Sequence, residues 1–160
     1  MKELLKELGA CTEAYKWAGD KSIEEIVETC HRGDWLLWLA SKIGVGIKPL
    51  TLAKGHCANT VRHLMKDERS INAVDVAIRF GEGKACRDEL DNAAYAAAAY
   101  APAYAAYAAA YAAYAYAAAA NAADDADAYA SVKRKNKMQT ADICRKYIGE
   151  LIIEKVNERI

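Results

Sequence analysis

Residues 93–123 are 31 consecutive positions without a charge, made of 22 Ala, seven Tyr, one Pro and one Asn. Ala is the strongest helix former, and nothing in the segment alternates with the period of two that a strand requires, so the composition specifies helix. Helix running unbroken from Ala85 to Ser131 would be on the order of 70 Å long. A domain of 160 residues has a radius of gyration of only about 15 Å. The segment must therefore break, protrude or pair with another chain. Pro102 is the expected break, because it removes a backbone donor and clashes with the preceding turn; two helices should meet near Ala101. The stretch is long enough to span a bilayer at roughly 20 residues per crossing. However, Ala gains little in lipid and each phenol would need a polar partner there, so we expect no membrane insertion.

The tyrosines of this array are ordered. At 100° per residue counted from Tyr95, Tyr100, Tyr104, Tyr107, Tyr111 and Tyr114 fall between about 100° and 180°. Asn121, Asp125 and Tyr129 return to nearly the same arc, whereas Tyr95 and Tyr116 lie elsewhere. Structurally, Ala lets helices approach closely while Tyr rings fill the grooves between them. Buried phenols and a buried Asp125 would still need partners. Few polar residues cover the outer faces of residues 93–123, and exposed apolar surface of that size marks an interface. A homo-oligomer formed through the array is therefore expected.

Charge excludes a general polyanion binder. Lys and Arg total 22 and Asp and Glu total 22, leaving no net field to hold nucleic acid or anionic lipid. We expect neither sequence-specific nucleic-acid binding nor a membrane role. The hydrophobic content of 54% is inflated by 35 Ala, while Leu, Ile, Val and Phe together number 30. Cys11, Cys30, Cys57, Cys86 and Cys144 are odd in number, widely spaced and without a CxxC pair, unlike the dense even set of a small secreted scaffold. The opening MKELLKELGA has neither a basic n-region nor a continuous apolar run. Reduced, buried thiols in a cytoplasmic protein are the expectation.

The first 90 residues read as short helices. Leu4, Leu5, Leu8, Cys11 and Tyr15 give one apolar stripe reaching Trp17 and stopped at Gly19. Ser22 with Glu25 is a capping box, starting a helix through Ile23, Ile26, Val27 and Cys30 to Gly33. Asp34 can N-cap the next helix, WLLWLASKI, which Gly44 ends. With Trp35, Leu36, Leu37, Trp38 and Leu39 all around its axis, this helix should be central, and Trp35 and Trp38 should lie in the core. Pro49 suits the first position of a helix carrying Leu50, Ala53, Cys57, Val61 and Leu64 on one face. Ser70 can cap a helix through Ile71, Val74, Ile78 and Phe80 to Gly81. The stretch KRKNK at 133–137 reads as a solvated helix junction, followed by a C-terminal helix over 138–160 with Thr140 near its start. The expected fold is thus all-α: one compact multi-helix domain over 1–160, with a short-helix core (1–90), an Ala/Tyr array (85–131) and that last helix.

No catalytic signature is present: there is no GxSxG, Walker loop, GxGxxG or HExxH. GEGK at 81–84 lacks the spacing and preceding strand of a phosphate loop. RGD at 32–34 reads as a joint between helices. His56 and His63 are seven residues apart, which puts them on one side of a helix with Asn59 between. Metal chelation from one helix favours a four-residue spacing, so no metal site is assigned. Both can be ordinary half-buried histidines; with Arg62 they can also line a polar pocket. We expect no enzyme, no catalytic residue and no cofactor.

The run CHRGDWLLWLASKIG (30–44), the run LAKGHCANTVRHL (52–64) and the Ala-Tyr array together resemble the bacterial and phage immunity-protein family, the Imm-five-like group. Its members share an RGDWLLWL core, a C-A-x-T-V-x-H-L helix and Ala/Tyr arrays of variable length. The resemblance spans nearly the whole chain. It implies an all-helical protein of inter-bacterial or phage–host conflict that binds without turnover, and it carries over no binding residues. Pro102 inside the array and KRKNK after it make this chain's array its own.

Three readings follow. The first is an immunity protein that neutralises a toxin protein by complex formation. The second is a phage sponge for a small nucleotide immune signal, since Tyr faces stack on bases while Arg and His hold phosphate. The third is a structural helical oligomer. A ligand pocket is expected where the Tyr stripe ends, around Tyr111, Tyr114, Asn121, Asp125 and Tyr129. Arg62, His56 and His63 would form the opposite, phosphate-binding wall.

Overall fold

The computed structural model describes residues 1–98 and 126–159, and among these every regular element is helical. The all-α expectation holds. The array's break at Pro102, together with Tyr100 to Asp125, lies outside the described residues.

The chain's punctuation sets most of the elements. The first apolar stripe is two helices and not one: α1 (Lys2–Glu7) and α2 (Thr12–Ala18). Gly9 sits between them at a positive φ of 78°, which no helix continues through. The Cys11 sulfur then accepts the Ala14 N–H at 3.5 Å and caps α2. Ser22 opens α3 (Ile23–Thr29) by the reciprocal pair read from the sequence. Its Oγ accepts from the Glu25 N–H at 3.2 Å, and the Glu25 carboxylate accepts from the Ser22 N–H at 2.7 Å. The helix stops at Thr29, short of Gly33.

Helix α4 (Gly33–Ile43) ends at Gly44, which takes the left-handed conformation. Its N-cap position is Arg32 and not Asp34. Asp34 falls in the first turn, where a carboxylate faces the positive end of the helix dipole. The buried stripe of α4 is Leu36, Leu39, Ala40 and Ile43. Trp35 and Trp38 lie roughly 90° and 150° around the axis from that stripe. They are therefore only partly buried, packed against the core's edge. Their expected place inside the core is corrected accordingly.

Helix α5 (Ile47–Asn59) carries Pro49 as its third residue, still within the first turn where no backbone donor is lost. It ends earlier than its apolar pattern suggests. The Thr60 hydroxyl donates to the Cys57 carbonyl at 2.7 Å, and the backbone leaves helical geometry at Val61, with φ −113° and ψ 14°. A 3₁₀ turn at Arg62–Leu64 follows. Asp67, and not Ser70, caps α6 (Glu68–Gly81) by accepting the Arg69 N–H at 3.0 Å. Helix α7 (Arg87–Ala98) leads toward the array.

The final helix, α8 (Ala126–Asn157), begins well before residue 138. No Gly or Pro interrupts 126–148, and Lys, Arg, Met and Gln propagate helix well. KRKNK is therefore a mid-helix stretch and not a junction, with Lys133, Arg134 and Lys135 exposed. The C-terminal half is the central rod of the fold. Ala141, Cys144, Ile148, Ile152 and Val156 step by three and then four residues, and all are 0% exposed. This stripe packs against α3, α4 and α5, while α6 covers α5 and α7 covers α6.

Two glycines permit the closest crossings. A Cβ at Gly33 would sit 2.6 Å from the Thr140 carbonyl carbon, and one at Gly81 only 2.4 Å from the Leu52 Cβ. Any side chain there would force α4 off α8, or α6 off α5. Arginines in and just after α8 finish neighbouring helices. Arg145 donates to the carbonyls of Val27 and Cys30 at 3.3 and 2.8 Å, and Arg159 donates to that of Ile43 at 3.1 Å. These satisfy C-terminal carbonyls that have no partner within their own helix. No helix among the described residues is long and apolar enough to cross a membrane.

Candidate functional site

Where α2, the α3–α4 joint and α4 converge, three rings meet. Trp17 comes from the end of α2, His31 from the joint and Trp35 from the first turn of α4. Ring centroids are 5.7 Å apart for Trp17–His31, 5.7 Å for Trp17–Trp35 and 5.8 Å for His31–Trp35. The two His31 contacts are edge-on, the geometry that aromatic quadrupoles favour. His31 is exposed and both indoles are partly buried.

Cations cover both indoles. The Arg32 guanidinium lies 4.5 Å over the Trp35 ring, and the Lys21 ammonium lies 4.7 Å over Trp17. Neither is loose. The Arg32 Nε and Nη2 donate to the two Asp34 oxygens at 3.1 and 2.5 Å, while Nη1 donates to Glu13 at 2.9 Å. This fork fixes the guanidinium plane, which a lysine in its place would not do. Lys21 Nζ donates to the Trp17 carbonyl at 2.6 Å. Burial would raise the Asp34 carboxyl, but the hydrogen bonds and charge of Arg32 outweigh it and hold Asp34 below the usual carboxylate range. Conversely, the Asp34 hydrogen bond keeps Arg32 above its ordinary value. The RGD tripeptide is thus folded on itself, Arg to Asp, around a glycine pressed against α8.

Beneath the rings is an apolar cleft of about 30 Å³, lined among others by Leu5, Trp17, Ile26, Trp35, Trp38 and Leu39. That is room for a methyl-sized group, not for a cofactor. The surface as a whole combines partly buried Trp, an oriented Arg and a small apolar dent. This is the composition that dominates binding energy in protein interfaces.

The site read from the sequence fares differently. Tyr111, Tyr114, Asn121 and Asp125 lie outside the described residues, and Tyr129 falls on the N-terminal turn of α8. His56 and His63 do not share a helix face, because α5 ends at Asn59 and His63 sits exposed on the 3₁₀ turn. His56 instead stacks on Tyr147 of α8, centroids 4.5 Å apart and rings within 4° of parallel. Arg62 is engaged by Asp75 of α6 through both terminal nitrogens, Nη2 to Oδ2 at 2.8 Å. The Arg62 hydrogen bond holds the Asp75 carboxyl below its usual range. The wall of His56, Arg62 and His63 is therefore not assembled as expected: a turn separates its members and an acid occupies its arginine.

Of the five thiols, Cys30 and Cys144 are buried and Cys57 half-buried, while Cys11 and Cys86 are exposed, against the expectation that all are buried. No cluster of metal-binding side chains occurs among the described residues. No family model, no curated protein and no solved structure matches the chain.

His31 was missed in the sequence. The available signal was its position directly before the Arg32–Gly33–Asp34 run, with Trp35 four residues further on.

Proposed function

We propose that this protein neutralises an agent of inter-bacterial or phage–host conflict by binding it without turnover, as its resemblance to immunity proteins implies. The partner favoured is a toxin protein, held on the face of Trp17, His31, Arg32 and Trp35. The observation that carries the reading is the pair of partly buried indoles at the core's edge, each beneath a tethered cation. Rings of that size left at the edge of the core cost solvation that a partner would recover. The test is co-expression with each toxin gene that adjoins the protein's own. Restored growth and a stable purified complex support the reading; growth arrest by every such toxin despite soluble protein refutes it.

A second reading is the nucleotide sponge. The Asn136 amide donates to the Thr60 hydroxyl at 3.1 Å. That bond ties the basic turn of α8 to the end of α5 next to Arg62 and His63. Heating the purified protein and identifying a released nucleotide by mass spectrometry would support the sponge over the toxin complex. Homo-oligomerisation through 93–123 belongs to the proposal as well. Tyr95, the array's first tyrosine, is 77% exposed. Light scattering is expected to give a mass above the 17.5 kDa of one chain.

A further inference from the structure

We propose that Cys57 and Cys144 are a reversible redox pair, which hydrogen peroxide joins in a disulfide stapling α5 to α8. Their sulfurs face each other at 3.8 Å across the two helices. A disulfide needs about 2.05 Å, so the sulfurs must approach by less than ~2 Å, within reach of small side-chain rotations. The helices are already held in register beside them by the His56–Tyr147 stack, one residue before Cys57 and three after Cys144.

The two thiols are unequal in the way such chemistry requires. Cys57 is half-buried, whereas Cys144 is buried and has the Gly33 carbonyl 3.5 Å away. The contact between the two sulfurs, in which either thiol can donate, pulls Cys57 below its ordinary value. The same contact and burial push Cys144 up, so Cys57 supplies the nucleophilic thiolate. Its sulfur attacks one peroxide oxygen and breaks the O–O bond, giving a sulfenic acid and one water. The Cys144 sulfur then attacks the sulfenic sulfur. The S–O bond breaks, and hydroxide leaves with the Cys144 proton as a second water. Two thiols and one peroxide thereby become one disulfide and two waters. Cys30 is the competing partner, but its thiol donates to the Arg32 carbonyl at 3.3 Å, on the α3–α4 joint.

The staple would close a loop from residue 57 to 144 that contains the whole Ala-Tyr array, and long loops gain most from cross-linking. The test treats the full reduced protein with hydrogen peroxide, alkylates the remaining thiols and maps its peptides. We expect a linked Cys57–Cys144 peptide, a mass lower by two hydrogens that dithiothreitol restores, and a melting temperature raised by about 5 °C or more. Cys57→Ser should abolish the link and the rise, while Cys11→Ser and Cys86→Ser should leave both. Should Cys57→Ser fold poorly, Cys57→Ala serves as the second control. Sulfinic acid at Cys57 with Cys144 still free, a Cys30–Cys144 link, or an unreacted Cys57 would each overturn the proposal.

Discussion

Helix α4 turns two different surfaces to its surroundings. Inward, Leu36, Leu39, Ala40 and Ile43 meet the α8 stripe and are at most 3% exposed. Outward, the larger Trp35 and Trp38 stay half-buried, with His31, Trp17 and two tethered cations around Trp35. Medium-sized aliphatics hold the fold, while the bulkiest rings sit at its margin. On the proposed function, the difference separates stability from recognition along one helix. It is sharp enough to be broken by substitution on either side.

The largest effect is expected on the inward side. Ile148→Ala empties a fully buried position and should cost about 2–5 kcal/mol by denaturant titration. Gly33→Ala should be comparably damaging, since its Cβ would overlap the Thr140 backbone. If either variant kept the parental midpoint, α8 would not be the central rod described.

Trp38→Ala comes next. The indole is only partly buried, so the cost should fall below that of Ile148→Ala measured in the same way. A larger loss would return Trp38 to the core.

The sequence made the frame legible where a single residue type dictates local geometry. The Ser22–Glu25 box and the Gly44 stop are such positions, because capping and positive φ are local physics. It misled where tertiary contact decides. Trp35 and Trp38 satisfy any measure of hydrophobicity, yet the stripe facing α8 is set by 36, 39, 40 and 43. The α5 pattern continues through Val61 and Leu64, but the helix ends at Asn59 and a 3₁₀ turn follows. The ring cluster was invisible because Trp17 and His31 are brought together by the α2–α4 geometry and not by spacing. Of the site read from the array, only Tyr129 of α8 and the separated His56, Arg62 and His63 fall among the described residues.

A smaller effect concerns acid. Asp34 titrates below its unfolded value, so its bond to Arg32 stabilises fully above about pH 4. That contribution is lost as pH falls through the lower folded-state value. Asp75, held down by its Arg62 hydrogen bond, behaves alike. Melting temperature should therefore be flat near neutrality and fall below pH 4, with Asp34→Asn showing a shallower fall. Because Asp34 is more than half exposed, screening keeps this effect modest. Equal acid slopes in parent and variant would show that Arg32 is not held as described.

The most direct test pairs two readouts on the outward face. Trp35→Ala and Arg32→Ala should each shift the melting temperature only slightly, by less than Ile148→Ala. Both should weaken neutralisation of the matched toxin by about tenfold or more, the loss expected of an interface hot spot. Undiminished neutralisation by folded Trp35→Ala and Arg32→Ala would contradict the account, and the ring cluster would then be a structural edge of the core.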